Sequence, residues 1–413
     1  MRAYPLSVRK FCSALAARVR SIMSRKLFEE WIQIGSLTLI EADGHSLTFG
    51  QGEPHGVMQL THPRSLQRIL RNPQMALGEN YMQGGWTVPE GQSLHDLLTV
   101  IRLNLEEHVR RPGVWSGLLS NALGSWNSVA TSLRNVRAHY DLDENLFRAF
   151  LDQELHYSCA YFTRQRMTLE QAQEAKCRHI ASKLLVSPGH RVLDIGSGWG
   201  SLAIYLATHH DVTVTGLTLS QEQLRVARAR ASAAGLEDRV RFELQDYRQH
   251  RGQYDRVVSV GMLEHVGKQN LGQYFSALRA FLAPDGVAMV HSIANMQAAG
   301  RVNPWIRRYI FPGGYIPDLV DLAASVRGSR LRLTDLEVWR DHYAQTLSHW
   351  FQRFQYHRSR FLAERGEAFC RMWEFYLALS QTAFEVGGLA VYQLQITSEQ
   401  ASPVPVTRDY LYR

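Results

Sequence analysis

From about residue 136 to residue 397, this 413-residue sequence predicts an α/β fold, a doubly wound and mainly parallel sheet. A smaller α+β domain is predicted before it. Three observations carry this expectation. Short aliphatic and β-branched runs alternate with segments of helical period, the signature of βαβ units. The first of these runs leads straight into a glycine-rich turn. Over residues 31–110 both periods occur without that regular alternation.

In the first domain, Leu37–Ile40 and Leu47–Phe49 alternate like short strands, with the turn residues Asp43 and Gly44 between them. The stretches Leu66–Leu77 and Leu94–Leu105 have helical periodicity. Arg110-Arg-Pro-Gly113 is a chain breaker, and the Ser/Asn-rich residues 111–135 read as a linker. In the second domain, Arg191–Ile195 is the first strand and Ser201–Thr208 the helix that follows it. Val212–Leu217 and Gln221–Ala234 repeat the pair. Val240–Leu244, Tyr254–Ser259 and Val287–His291 are three further strands, with Leu271–Leu282 helical before the last. Residues 398–413 form a tail. Right-handed crossovers place ligands at the carboxyl ends of such strands.

Hydrophobic content of 45% with 20% charge is ordinary for a folded protein. The net charge of +8 favours an anionic partner, nucleic acid or acidic lipid. Much of the excess lies in residues 1–30, where Arg2, Arg9, Lys10, Arg18, Arg20, Arg25 and Lys26 oppose only Glu29 and Glu30. There Val8, Phe11, Cys12, Leu15, Val19, Ile22 and Met23 recur at helical spacing, which makes a basic amphipathic helix. Such a helix lies in a membrane interface or packs on the domain that follows. No signal-peptide pattern is evident, and no run approaches the ~20 apolar residues that span a bilayer. The expectation is a soluble or peripheral protein. Cys12, Cys159, Cys177 and Cys370 have neither disulfide nor zinc spacing, which predicts a reducing compartment and no metal.

The turn Gly196-Ser197-Gly198-Trp199-Gly200 follows a strand and opens a helix, the setting of a nucleotide-type ligand. Its spacing is G-x-G-x-G rather than G-x-G-x-x-G, and Trp199 is bulky where a pyrophosphate would pass. The second strand ends in Leu217-Thr-Leu-Ser220 without the acid expected for a nicotinamide dinucleotide ribose. Asp194, just before the loop, is placed to meet the cationic amino group of a methionine moiety. Together these features predict a class I S-adenosyl-L-methionine-dependent methyltransferase with a Rossmann-like fold. Gln245-Asp246-Tyr247 follows the third strand, where residues flank an adenine.

At this point the chain resembles the cyclopropane-fatty-acyl-phospholipid synthase family, which includes mycolic acid cyclopropane synthases and related fatty-acid methyltransferases. The likeness runs from about His139 to Ile396. It rests on His139-Tyr-Asp-Leu142, Tyr157-Ser-Cys-Ala-Tyr-Phe162, the glycine loop, Gly216-Leu-Thr-Leu-Ser-Gln-Glu-Gln223 and Ser259-Val-Gly-Met-Leu-Glu-His-Val-Gly267. Val290-His-Ser-Ile293, Tyr309-Ile-Phe-Pro-Gly-Gly314, Ile316-Pro317 and His342-Tyr343 complete the set. The resemblance implies methyl transfer to the double bond of an unsaturated phospholipid acyl chain. A cyclopropane then forms through a carbocation, with a bound bicarbonate as base. By the same resemblance Cys159, Glu264, His291, Ile293 through its backbone, and Tyr343 hold that ion. Tyr157, Ser158, Asp194, Gly196, Ser197, Gly198, Trp199, Gly200, Thr218, Gln223, Gln245 and Asp246 hold the cofactor. Ser197 stands where the family usually has Cys; both are small. A homodimer and a peripheral place on the cytoplasmic, inner face of the membrane, on anionic lipids, are further implications.

The residue chemistry agrees. An alkene is a poor nucleophile, so the methyl must come from a strong electrophile, and a sulfonium is one. The resulting cation is stabilised by aromatic faces, in which Trp305–Tyr315 and Tyr343–Trp350 are rich. Loss of a proton then needs a base. Glu264 and His291 lie at or just after the ends of the fourth and fifth strands. The same cation, after a hydride shift, yields a methyl-branched or methylene chain instead, and the sequence leaves both products open. Neither an aromatic-basic RNA signature nor an amine-methylating Asn/Asp-Pro-Pro-aromatic motif is evident, which argues against nucleic acid as acceptor.

Overall fold

The structure, a computed structural model, describes residues 25–110, 144–297, 302–399 and 404–412. Most of the expected basic helix, the whole of the expected linker and the His139–Leu142 segment lie outside these residues. The chain forms two compact units, Met1–Ala122 and Leu123–Arg413.

In the first unit, β1 (Gly35–Ile40) and β2 (Ser46–Gln51) form the expected hairpin, with Leu39 opposite Leu47 and Gly44 at φ 88° in the turn. β3 (His55–Leu60) runs parallel to β1, and the short β4 (Trp86–Thr87) closes the order β2-β1-β3-β4. The single helix expected over Leu66–Leu77 is two, α1 (Ser65–Arg71) and α2 (Pro73–Met82). The cause is Pro73. It disfavours helical geometry in the residue before it, and Asn72 sits at φ −150°, ψ 72°. α3 (Leu94–Arg110) buries Leu97, Leu98 and Val100.

The second unit is built on a seven-stranded sheet in the order β10-β11-β9-β8-β5-β6-β7. The five expected strands are β5 (Arg191–Ile195), β6 (Thr213–Thr218), β7 (Val240–Leu244), β8 (Tyr254–Val260) and β9 (Leu282–Asn295), and they pair in parallel. β9 is longer than expected at both ends. Two strands were not foreseen: β10 (Leu331–Trp339) and β11 (Leu389–Ser398), the latter antiparallel to both its neighbours. Successive strand residues point to opposite faces. Leu193, Ile195, Leu217, Val257 and Val290 pack on α8 (Leu271–Phe281) and α10 (Leu319–Gly328). Val192, Val214, Phe242, Val258 and Met289 pack on α5 (Leu169–Leu184), α6 (Ser201–His210) and α7 (Gln221–Ala233). Burial on both faces is why these strands read as near-continuous aliphatic runs.

The remaining helices, α4 (Glu144–Phe150), α9 (Pro304–Tyr309), α11 (Asp341–Arg365) and α12 (Glu367–Glu385), belong to the same unit. Among the described residues no helix is long and apolar enough to cross a membrane, and no cluster of His, Cys, Asp or Glu is arranged to hold a metal ion.

α5 begins at a reciprocal cap. Thr168 Oγ1 accepts from Gln171 N and Gln171 Oε1 accepts from Thr168 N, each at 3.2 Å. Thr168→Ala removes one of the two bonds, and should cost about 1 kcal/mol, or roughly 2–3 °C in Tm, in a thermal melt.

Candidate active site

The chain winds from β5 to β7 in one direction and then returns to β8 on the other side of β5. This reversal opens a crevice at the carboxyl ends of β5 and β8. The glycine loop crosses it. Gly196, Gly198 and Gly200 have φ of 83°, 53° and 82°, a region that side chains rarely adopt. Gly196 N and Ser197 N both donate to Leu217 O, at 3.0 and 2.8 Å, tying the loop to the end of β6. A Cβ on Gly200 would stand 2.7 Å from Phe242 Cζ, so this glycine permits close packing of α6 on the sheet. A Cβ on Gly198 would meet nothing within 4 Å, because that residue borders open space.

That space is a cleft of about 1220 Å³, part of it open to solvent. Tyr157, Ser158, Asp194, Gly196, Ser197, Gly198, Trp199, Thr218, Gln223, Gln245 and Asp246 all line it. Gly200 does not; it sits behind the wall as the N-cap of α6. At one end Asp194 is buried, and burial raises its pKa to about 7, against the pull of Lys176. Lys176 lines the same end, and its Nζ donates to Ser158 Oγ at 3.0 Å. Farther along, Thr218 Oγ1 donates to Gln223 Oε1 at 3.0 Å. At the end of β7, Gln245 Oε1 is 2.7 Å from His250 Nδ1, and Asp246 holds Arg248 through both carboxylate oxygens at 2.9 and 2.6 Å. The residues fit S-adenosylmethionine: an anion and a cation at one end, a glycine cradle in the middle, and amide and carboxylate groups at the other.

The residues expected on the acceptor side lie elsewhere than on this cleft wall. Glu264 sits in the turn after β8, where its Oε1 accepts from Ile293 N at 2.5 Å. The Ile293 amide is thus already engaged. Glu264 Oε2 is shielded and has no hydrogen-bond partner among the described residues. Burial raises the carboxyl pKa to about 7, opposed by the Ile293 amide. His291, two residues before Ile293 on β9, faces Gln393 in register on β11. Gln393 Nε2 lies 3.1 Å from His291 Nδ1, an arrangement that puts the ring proton on Nε2. Burial, then Lys176 and Lys183, lower the His291 pKa to about 3, so the ring stays neutral. Cys159 is fully buried, and its thiol donates to Ala160 O at 3.3 Å. Burial pushes that thiol up, which keeps it protonated. Ala160 N donates to Thr346 Oγ1 at 3.0 Å, and Thr346 shares α11 with Tyr343.

His291 meets the ring of Trp339 at 5.6 Å, and other aromatic rings of this unit gather on one another. Tyr157 lies 5.2 Å from both Phe147 and Trp350, and its hydroxyl is 2.8 Å from that of Tyr376. Tyr343 meets Trp350 at 5.9 Å and Phe384 at 4.6 Å. The stretch Tyr343–Trp350 therefore joins one ring cluster. Of the other expected stretch, Trp305 is buried against Phe375 and Phe311 reaches Tyr376. Sequence reading missed Phe147, Tyr376, Phe384, Gln393 and Lys176, which come from α4, α12, β11 and α5. Only Lys176 left a local signal: it interrupts the stripe Ala172, Lys176, Ile180 on one face of α5.

Glu264 gives a pH test. Its folded pKa of about 7 exceeds the ordinary 4.5, so the stability it contributes is complete below pH 4.5 and declines as pH rises through 7. Glu264→Gln has no such titration. Melts should show the parent losing ground to Glu264→Gln between pH 5 and pH 8, by up to roughly 3 kcal/mol.

Comparison with known proteins accords with this geometry. Residues 127–394 match the family model described as mycolic acid cyclopropane synthetase. A tuberculostearic acid methyltransferase of Mycobacterium tuberculosis is 38% identical over 406 residues, 93% of each chain. The cyclopropane-fatty-acyl-phospholipid synthase of Escherichia coli K12 is 36% identical over 340 residues, 82% of this chain and 86% of that one. The crystal structure of a mycolic acid cyclopropane synthase complexed with SAH and CTAB has a TM-score of 0.60 at 32% identity, covering 64% of this chain and 97% of that one. A likeness of this reach in both sequence and fold makes the chain a member of the mycolic acid cyclopropane synthetase family, and so an S-adenosylmethionine-dependent methyltransferase.

Proposed function

We propose that the chain transfers the one-carbon unit to the double bond of unsaturated phospholipid acyl chains and forms cyclopropane fatty acids. The observation that carries this reading is that two buried groups shifted towards their neutral forms, Glu264 and His291, converge on one stretch of β9, where Glu264 accepts from the amide of Ile293 two residues beyond His291. Glu264, with a pKa of about 7 and an unpartnered oxygen, is a hydrogen-bond donor when protonated. His291, with Gln393 on its Nδ1, donates from Nε2. Neutral donors suit a small anion next to a carbocation, because they hold the ion without adding a positive charge that would repel the reacting carbon. Bicarbonate is such an ion, and the base it would supply removes the proton whose loss closes the ring. Cys159, Glu264, His291, Tyr343 and the Ile293 backbone would hold it, the Ile293 amide being shared with Glu264. When bound, S-adenosylmethionine supplies an electrophilic methyl group on sulfur. Tyr157, Trp350 and Tyr343 contribute ring faces that favour a desolvated cation by ~0.5–2 kcal/mol each.

A second product is kept because one relative, aligned over 93% of this chain, is named for methyl transfer rather than for a cyclopropane. In that case the same cation ends as a methyl-branched or methylene chain. The membrane is reached through the basic segment of residues 1–30, which docks peripherally on anionic lipid at the inner face of the cytoplasmic membrane, with the chain as a homodimer.

Purified protein with S-adenosylmethionine and unsaturated phospholipid vesicles should yield acyl chains heavier by one CH₂, with high-field ring-proton signals by NMR. Unchanged lipid mass while the cofactor binds would refute the reading, and a mass gain without ring signals would favour the branched product. Glu264→Gln should lower turnover by about a hundredfold or more. Deletion of residues 1–30 should weaken flotation with anionic vesicles; unchanged flotation would assign that helix to packing.

A further inference from the structure

α5 carries an ammonium group into the interior, and the protein alone does not account for it. Lys176 is 1% exposed, and its Nζ donates to a neutral hydroxyl, Ser158 Oγ. Among the described residues no carboxylate oxygen lies within 4.0 Å of it. The acids and thiols whose charge reaches it are Asp152, Cys177, Cys159 and Asp194. Three of these have other partners or no charge. Asp152 Oδ2 is 2.8 Å from His156 Nδ1, and Asp152 Oδ1 accepts from His156 N at 2.8 Å. Cys177 Sγ is 3.1 Å from His156 Nε2. Cys159 is held as a neutral thiol. Asp194 remains, a buried carboxyl group on the same cleft wall whose side chain has no hydrogen-bond partner among the described residues.

A buried amine and a buried carboxyl group, which burial shifts towards their neutral forms, thus face one end of a cleft without touching each other. Leaving either uncompensated costs several kcal/mol. A ligand that carries both an ammonium and a carboxylate on one carbon would satisfy both at once. We propose that Lys176, held by Ser158, binds the α-carboxylate of the cofactor's methionine end, opposite the ammonium that Asp194 meets. This inference rests on the reading that the cleft holds S-adenosylmethionine. The site would accept other carboxylate-like anions, bicarbonate among them. The cofactor is the better match, because Lys176, Ser158 and Asp194 share the cleft with the glycine loop while Glu264, His291, Ile293 and Tyr343 lie off its wall. Lys176 is therefore a cofactor-positioning residue that fixes the direction in which the sulfonium presents its methyl group.

The test is calorimetric titration of the full chain with S-adenosylmethionine and with decarboxylated S-adenosylmethionine, which keeps the adenosine, sulfonium and amine. The parent should bind the decarboxylated form about tenfold to a hundredfold more weakly. Lys176→Met should lose about that factor for S-adenosylmethionine and change by less than about threefold for the decarboxylated form, so that discrimination disappears. Lys176→Gln, which keeps a donor for Ser158 but no charge, carries the same expectation and serves if the methionine variant fails to fold. Equal loss of both ligands in the variants would make Lys176 merely structural and overturn the proposal, as would equal affinity of the parent for the two ligands. Bicarbonate that competes with S-adenosylmethionine on the parent but not on Lys176→Gln would give the ammonium to the other anion, also overturning it. No binding of S-adenosylmethionine by the parent would instead overturn the reading of the cleft.

Discussion

The reversal of winding at β5 is the constraint from which the site follows. Each right-handed crossover covers the strand ends it passes over, so only where two crossovers diverge is the carboxyl edge left open. β5 and β8 meet at that place, and the loop after each strand is free to bend inward. The loop after β5 becomes the glycine cradle, and the loop after β8 carries Glu264. β9, next in the sheet, brings His291 and Ile293 to the same edge. The glycine cradle and the proposed acceptor-side residues thus share one edge of the sheet.

Much of this was legible in the sequence, for a local reason. β5 to β9 are buried on both faces, so their aliphatic runs stand out, and the glycine loop must be encoded where it occurs because no distant residue can supply a positive φ. β10 was not legible. It carries Arg332, Asp335 and Glu337, which break an aliphatic run. Those acids are tolerated because partners arrive from far away: Lys183 and His179 reach Glu337 at 2.6 and 2.7 Å, and Arg408 reaches Asp335 at 2.6 Å. Gln393 was equally hidden. Its meaning comes from its register opposite His291, which sheet pairing alone fixes.

Burial shifts the titratable groups in the polar interior of this unit towards their neutral forms. Burial raises the pKa of Glu264 and Cys159 and lowers that of His291, and each shift favours a neutral group. Burial shifts Lys176 down and Asp194 up in the same sense, and at the cleft end a zwitterionic ligand would return both to their charged forms. The ring cluster of Phe147, Tyr157, Trp350 and Tyr343 adds polarizable faces.

The antiparallel strand β11 has a consequence for how the molecule is made. During synthesis the cradle, β5 to β7 and the helices between them emerge well before residue 389, and can assemble as nascent chain. His291 emerges 102 residues ahead of Gln393, the partner that sets its tautomer. Until β11 inserts between β9 and β10, the ring has no fixed proton position and the sheet has a bare edge at β9. The strands and loop of the cofactor cleft are therefore complete in the emerging chain before the sheet partner of His291 is made.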